Sequence, residues 1–241
     1  MFLVLSGEGN TDIGTSDDNP GPMAKFIDKW ITRRFKYDYS LLETNQFKII
    51  PETELTNEVN RLRKAKKIKT SSRRGKKRPP ETQYFYRNAR ALATLSRQIS
   101  QEEETDVIAI LFRDSDGSAS SGKGLWKNKW DSILKGFEEE GISTGVPMVP
   151  KPKSEAWLLC ALKNQYQHCT SLEDESGNDS APNSLKKQLE AHLDTPCSQE
   201  LLNDKIDRGE IDLNRIVDMP SLTEFKDRLD TVLDNLNIPR E

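Results

Sequence analysis

Two short patterns place acidic side chains where chemistry can use them. Gly7-Glu8-Gly9-Asn10-Thr11-Asp12 follows the apolar run Phe2 to Leu5, and Phe112-Arg113-Asp114-Ser115-Asp116-Gly117 closes the run Asp106 to Phe112. Alone, an acid after a glycine turn is usually a helix cap, and a lone Asp-x-Asp is usually a turn. At two strand ends together they read as a site, because ligands of an open parallel sheet bind beyond the carboxyl ends of its strands. Three or four converging carboxylates repel one another without a cation, and hard divalent ions choose carboxylate oxygens. The chemistry expected of Glu8, Asp12, Asp114 and Asp116 is therefore metal-assisted phosphodiester hydrolysis. The cofactor expected from the carboxylates is a hard divalent ion such as Mg2+, with two ions the usual arrangement for that reaction.

These acids need a frame of alternating strands and helices. Phe2 to Leu5 reads as a buried strand, and Met23, Phe26, Ile27, Trp30 and Ile31 recur at helical spacing after a polar loop, 14–21. A second strand follows at Gln46 to Pro51, then a helix from Thr53 to about Ile68, a polar loop to Pro80 and a helix from Tyr84 to Ile99. Asp106 to Phe112 is an unbroken buried strand, followed by a helix over Trp130 to Glu140, a strand at Val146 to Val149 and a helix from Ser154 to Asn164. Such alternation predicts an α/β fold with a mainly parallel sheet flanked by helices. The expected organisation is a catalytic domain over 1–170, a linker at 171–183 rich in Ser, Asp, Glu and Asn, and a small acidic helical appendage over 184–241.

Other groups bear on the same chemistry. Lys153 is expected to help neutralise a transition state, and Glu155 to join the metal ligands or serve as an acid in the first turn of its helix. Arg61 to Arg78 is dominated by lysine and arginine. Beside an acidic site, Arg73, Arg74, Lys76, Lys77 and Arg78, with Lys123, read as phosphate contacts that position a nucleic-acid backbone without reading its sequence. Gly117 to Lys123 matches Gly-x-x-x-x-Gly-Lys, but Gly124 stands where a P-loop carries its metal-binding hydroxyl, so the string is expected to edge the metal site instead. No nucleophile and base pair stands out, since the chain has two histidines and its tyrosines lack a covalent-intermediate context. Cys160, Cys169 and Cys197 have no metal-site spacing and are expected to be reduced structural thiols.

The two acidic patterns resemble the Toprim domain shared by topoisomerases, bacterial primases and the overcoming-lysogenisation-defect (OLD) nucleases, and the Glu-x-x-x-acid spacing is most similar to the OLD branch. The resemblance covers about Met1 to Leu162. It implies a compact α/β fold, Mg2+ or Mn2+ dependence, Glu8 as metal ligand or general base, and the two aspartates as ligands. The OLD branch also uses a Ser-x-Glu element and a later lysine; here Lys153-Ser154-Glu155 lies in a suitable place with Ser and Glu adjacent. The run is similar, too, to small stand-alone Toprim proteins found near phage-defence genes. These resemblances imply a nuclease acting on DNA or RNA as the effector of an anti-phage defence system, partnered by a separately encoded ATPase. The alternative is a noncatalytic nucleic-acid-binding or scaffold subunit with the same fold.

Composition sets the outer bounds. The chain has 241 residues, 31% of them charged, and a net charge of −3; its mean hydropathy is −0.75. No apolar stretch approaches the roughly 20 residues of a membrane span. The first residues run straight into a strand and lack a basic start, so a cytoplasmic protein is expected. Basic excess before about residue 170 and acidic excess after it point to a polyanion partner for the first part. The acidic tail is expected to dock on a basic surface, to lie over the basic run, or to act as a stabilising cap.

Overall fold

A computed structural model describes residues 1–9, 11–35, 39–65, 80–115, 125–162, 169–216 and 218–238. Four parallel strands form the main sheet: β1 (Phe2–Gly7), then, past a short hairpin of β2 (Gly14–Ser16) and β3 (Asn19–Pro20), β4 (Phe47–Ile50), β5 (Val107–Phe112) and β6 (Gly145–Met148). Their order is β4-β1-β5-β6, and Gly7 pairs in register with Phe112. β1 and β5 are continuous apolar runs because both faces of the central strands are covered. Leu3, Val4, Leu5 and Ile108 to Phe112 are wholly buried.

Between β1 and β4 lies α1 (Pro22–Thr32), while α2 (Glu52–Lys64) and α3 (Pro80–Glu102) carry the chain back past β1 to β5, and α4 (Leu125–Glu139) leads to β6. After β1 the chain moves toward one edge of the sheet, and after β4 toward the other. Right-handed crossovers therefore put α1 on the face opposite α2, α3 and α4. The latter three pack side by side, with α3 against β1 and β5 and α4 against β6. The reversal of direction makes the carboxyl ends of β1 and β5 the switch point of the sheet, the place where ligands of such sheets bind.

The remaining helices are α5 (Ser154–Leu162), α6 (Cys169–Leu172), α7 (Leu185–Leu193), α8 (Gln199–Asp207) and α9 (Pro220–Asn235). The C-terminal helices are not loosely attached. Phe225, Leu229, Val232 and Leu233 of α9 are buried, α9 packs on β6, and Trp157 Nε1 donates to Ser221 Oγ at 2.9 Å. Three acids of the tail are engaged by α1 and the residues just after it: Asp207 pairs with Lys25, and Asp230 and Asp234 with Arg34 at 2.7 and 2.9 Å. The tail thus caps the body. Arg61, the described start of the basic run, pairs with Glu58 of its own helix at 2.6 Å.

Several expectations are corrected. The loop 14–21 contains the β2–β3 hairpin. Helix α3 begins at Pro80, a residue suited to a first helical turn, and α4 begins at Leu125, ahead of Trp130. Segment 171–183 starts inside α6 and is tied to both neighbours, with Glu173 Oε1 accepting from the Ser221 N–H of α9 at 2.8 Å and Asp174 pairing with Lys151 at 3.6 Å. Cys160 and Cys169 are not reduced thiols but a disulfide, because the end of α5 and the start of α6 bring their Cα atoms to 5.6 Å, within bridging range. Cys197 is a free thiol. Among the described residues, no helix is long and apolar enough to cross a membrane.

Candidate active site at the switch point

Glu8 follows the last residue of β1, and Asp114 lies two residues past the end of β5. They meet: the Asp114 backbone N–H donates to Glu8 Oε1 at 2.7 Å. Asp114 Oδ1 in turn accepts from the backbone N–H of Ser154 at 3.1 Å, and the Ser154 hydroxyl donates to Asp12 Oδ1 at 2.7 Å. Glu8, Asp114, Ser154 and Asp12 form one hydrogen-bonded chain, although the links join residues 106, 40 and 142 positions apart. Ser154 opens α5, so its N–H is one of the donors a helix start leaves free of intrahelical partners.

The local backbone serves this geometry. Gly9 has φ of 76°, a left-handed turn that favours glycine, and it lets the chain fold back directly after Glu8. The Asp12 carbonyl accepts from the Met23 N–H at 2.9 Å, and a Cβ on Gly21 would run into that carbonyl, so Gly21 is required for the fit. On the other strand tip, the Ser115 N–H is shared between Pro150 O at 3.1 Å and Pro152 O at 3.0 Å. The buried Lys129 ammonium donates to Ser115 O at 2.6 Å, fixing the turn from behind.

The electrostatics are those of buried acids. Burial pushes the Asp12 carboxyl up to about 6, and the charges of Glu155 and Glu8 add to the rise, while the Ser154 hydroxyl and Lys153 oppose it. Burial likewise raises Glu155, opposed by Lys153 and reinforced by Asp179. Glu155 Oε2 is buried without a hydrogen-bond partner. Lys153 donates to Asp179 at 3.0 Å and acts on both acids. Cys197, near Glu155 and Asp12, is pushed up to about 11, chiefly by burial, and is a poor nucleophile.

Of the expected site residues, the structure joins Glu8 to the Asp114 backbone and links Asp114 to Asp12 through Ser154, and it sets Glu155 and Lys153 within electrostatic reach of Asp12. Asp116, Lys123, Arg73, Arg74, Lys76, Lys77 and Arg78 lie outside the described residues. Ser154 is readable as a helix start, but its role as the link between Asp114 and Asp12 has no sequence signal. Arg113, inside the acidic pattern, and Tyr84 carry no signal of a role in the sequence either. Among the described residues, no three Asp, Glu, His or Cys side chains close on one point as a metal's ligand shell does. The donor chemistry nevertheless fits a hard divalent ion: carboxylates, an unpartnered buried oxygen of Glu155, and acids whose ionised form burial disfavours and a bound cation would favour.

Compared with known proteins, the chain matches no family model, no curated protein and no solved structure.

Proposed function

We propose that the chain is a metal-dependent phosphodiesterase of the Toprim type that cleaves nucleic acid. The observation that carries this reading is the hydrogen-bonded chain joining Glu8, Asp12 and Asp114 at the switch point of the parallel sheet. Glu8, Asp12 and Asp114, with Asp116 and Glu155, would hold Mg2+ or Mn2+, with two ions proposed. Bound there, such ions supply an activated water and neutralise charge on the reacting phosphate. The protein's own groups do the positioning. Ser154 holds Asp12 and Asp114 in fixed relation, Lys129 anchors the turn that carries Asp114, and Lys153 offers a positive charge beside the acids.

Nucleic acid as the substrate is supported by charge on the described flanks of the basic segment. Arg61, Arg63 and Lys64 form the last turn of α2. Burial lowers the pKa of Arg87 on α3, and the charge of Arg63 lowers it further, so like charges stand close. A phosphate backbone relieves such crowding. Arg73, Arg74, Lys76, Lys77, Arg78 and Lys123 would add phosphate contacts by their charge. An ATPase partner, a role in phage defence and a cytoplasmic setting belong to the same proposal through the resemblance alone. The test is incubation of the purified chain with supercoiled DNA, single-stranded DNA and transfer RNA, with Mg2+ or Mn2+ and with a chelator. Strand cleavage that needs the metal is expected. A chain that binds nucleic acid and cleaves none of the three is the noncatalytic subunit instead.

A further inference from the structure

Among the described residues, Tyr84 is the large apolar side chain that stands exposed, with 43% of its surface open. It is also firmly held. Its hydroxyl donates to Glu52 Oε1 at 3.1 Å, and the Arg113 guanidinium carbon lies 5.4 Å from its ring centroid, within cation–π range. Arg113 is itself unusual: the side chain is fully buried, and none of its three guanidinium nitrogens has a hydrogen-bond partner. Its ion pair with Glu52 is long, at 3.8 Å. A buried cation so poorly satisfied is costly unless it serves something, and the ring of Tyr84 is what it backs.

The position of this ring matters. Gly7 pairs with Phe112 in the sheet, so Glu8 and Arg113 are the next residues of adjacent strands. Ser6 pairs with Ile50 at the end of β4, and Glu52 opens α2 two residues later. Glu8 and Arg113 thus stand at adjacent strand tips with Glu52 at the start of α2 nearby, and the charges acting on the Tyr84 hydroxyl include all three. Tyr84 also lies in the first turns of α3, directly after the basic segment. An aromatic face fixed beside an acidic site is the arrangement by which proteins hold unpaired bases, since every base offers a π face.

We propose that Tyr84, backed by Arg113, is a stacking platform for an unpaired nucleobase, so that the ligand of this site is single-stranded nucleic acid or a nucleotide turned out of a duplex. Calling that ligand the substrate rests on the phosphodiesterase reading; the stacking does not. The test measures binding of the full chain, in chelator, to a labelled deoxythymidine strand and to a blunt duplex of equal charge. Tyr84→Leu is expected to weaken single-strand binding about tenfold, within the range for loss of one stacked base, and to leave duplex binding unchanged. Tyr84→Phe and Tyr84→Trp keep the face and are expected to bind the single strand as the wild type does, which also covers the case of a Leu variant that does not fold. Equal affinity of the folded Leu variant for the single strand, equal losses on both probes, loss of binding in the Trp variant, or a wild type that binds neither probe overturns the platform. Assaying cleavage with Mn2+ on the same proteins separates the two proposals. Metal-dependent cleavage with binding indifferent to position 84 removes the platform and keeps the phosphodiesterase, whereas binding that depends on Tyr84 without cleavage does the reverse.

Discussion

Asp12 carries the sharpest consequence among the single residues. Its carboxyl is raised to about 6 in the folded chain, first by burial and then by Glu155 and Glu8, against 3.8 when unperturbed. A raised acid favours the fold while it is protonated. Its contribution is therefore fully present below the unfolded pKa and is lost as pH rises through 6, because the folded state binds more protons in that window. Asparagine at this position still accepts from Ser154 but never ionises. Without metal, Asp12→Asn is expected to be more stable than the wild type by roughly 1–3 kcal/mol at pH 7.5, with the difference closing between about pH 6 and pH 4. Urea denaturation of both proteins in chelator across that range measures it. A difference that does not change with pH would show that the acid is not held against its own charge. The same residue is visible in the sequence as an acid four positions after Glu8, but the partner that fixes it is not. Ser154 is 142 positions away, and no local pattern distinguishes it from any serine that starts a helix.

Among the elements, the central strands are legible because they are buried on both faces and hence apolar without interruption, as in Val107 to Phe112. The hairpin of Gly14–Ser16 and Asn19–Pro20 is not, since strands of three and two residues carry no alternation to read. The disulfide is hidden for a similar reason. Nine positions separate Cys160 from Cys169, a spacing that says nothing until α5 and α6 bring their ends together. Closing a loop of this size stabilises a fold by about 2–3 kcal/mol in the chain-entropy model. The bridge ties down the end of the helix whose first residue links Asp114 to Asp12. Alkylation of the protein purified without reductant and then denatured is expected to modify one thiol, Cys197, and to modify three after reduction. Three modified thiols without reduction would rule out the bridge.

The whole molecule binds its acidic C-terminal part into the body. Asp207, Asp230 and Asp234 meet Lys25 and Arg34, Arg228 donates to Gly145 O at 3.0 Å on the outer strand, and Phe225 packs beside Trp157 with ring centroids 6.1 Å apart. The charge asymmetry is readable in the sequence, but the partner of the acids is not, because helical spacing in α9 shows which face is buried and not what covers it. Removing 184–241 would strip the cover from β6 and α5, so the truncated chain is expected to be insoluble or molten. A soluble truncation with sharp thermal unfolding and raised cleavage would instead make the tail an inhibitor. Whether the acids at the switch point form a metal-dependent phosphodiesterase centre is decided by Asp114→Ala. Asp114 sits beyond the strand end, so its loss should spare the core and keep the melting temperature near that of the wild type. Cleavage of nucleic acid in Mn2+ is predicted to fall by on the order of a hundredfold or more, as expected when a metal site loses a ligand. A folded Asp114→Ala protein that cleaves at the wild-type rate would refute the assignment of the centre.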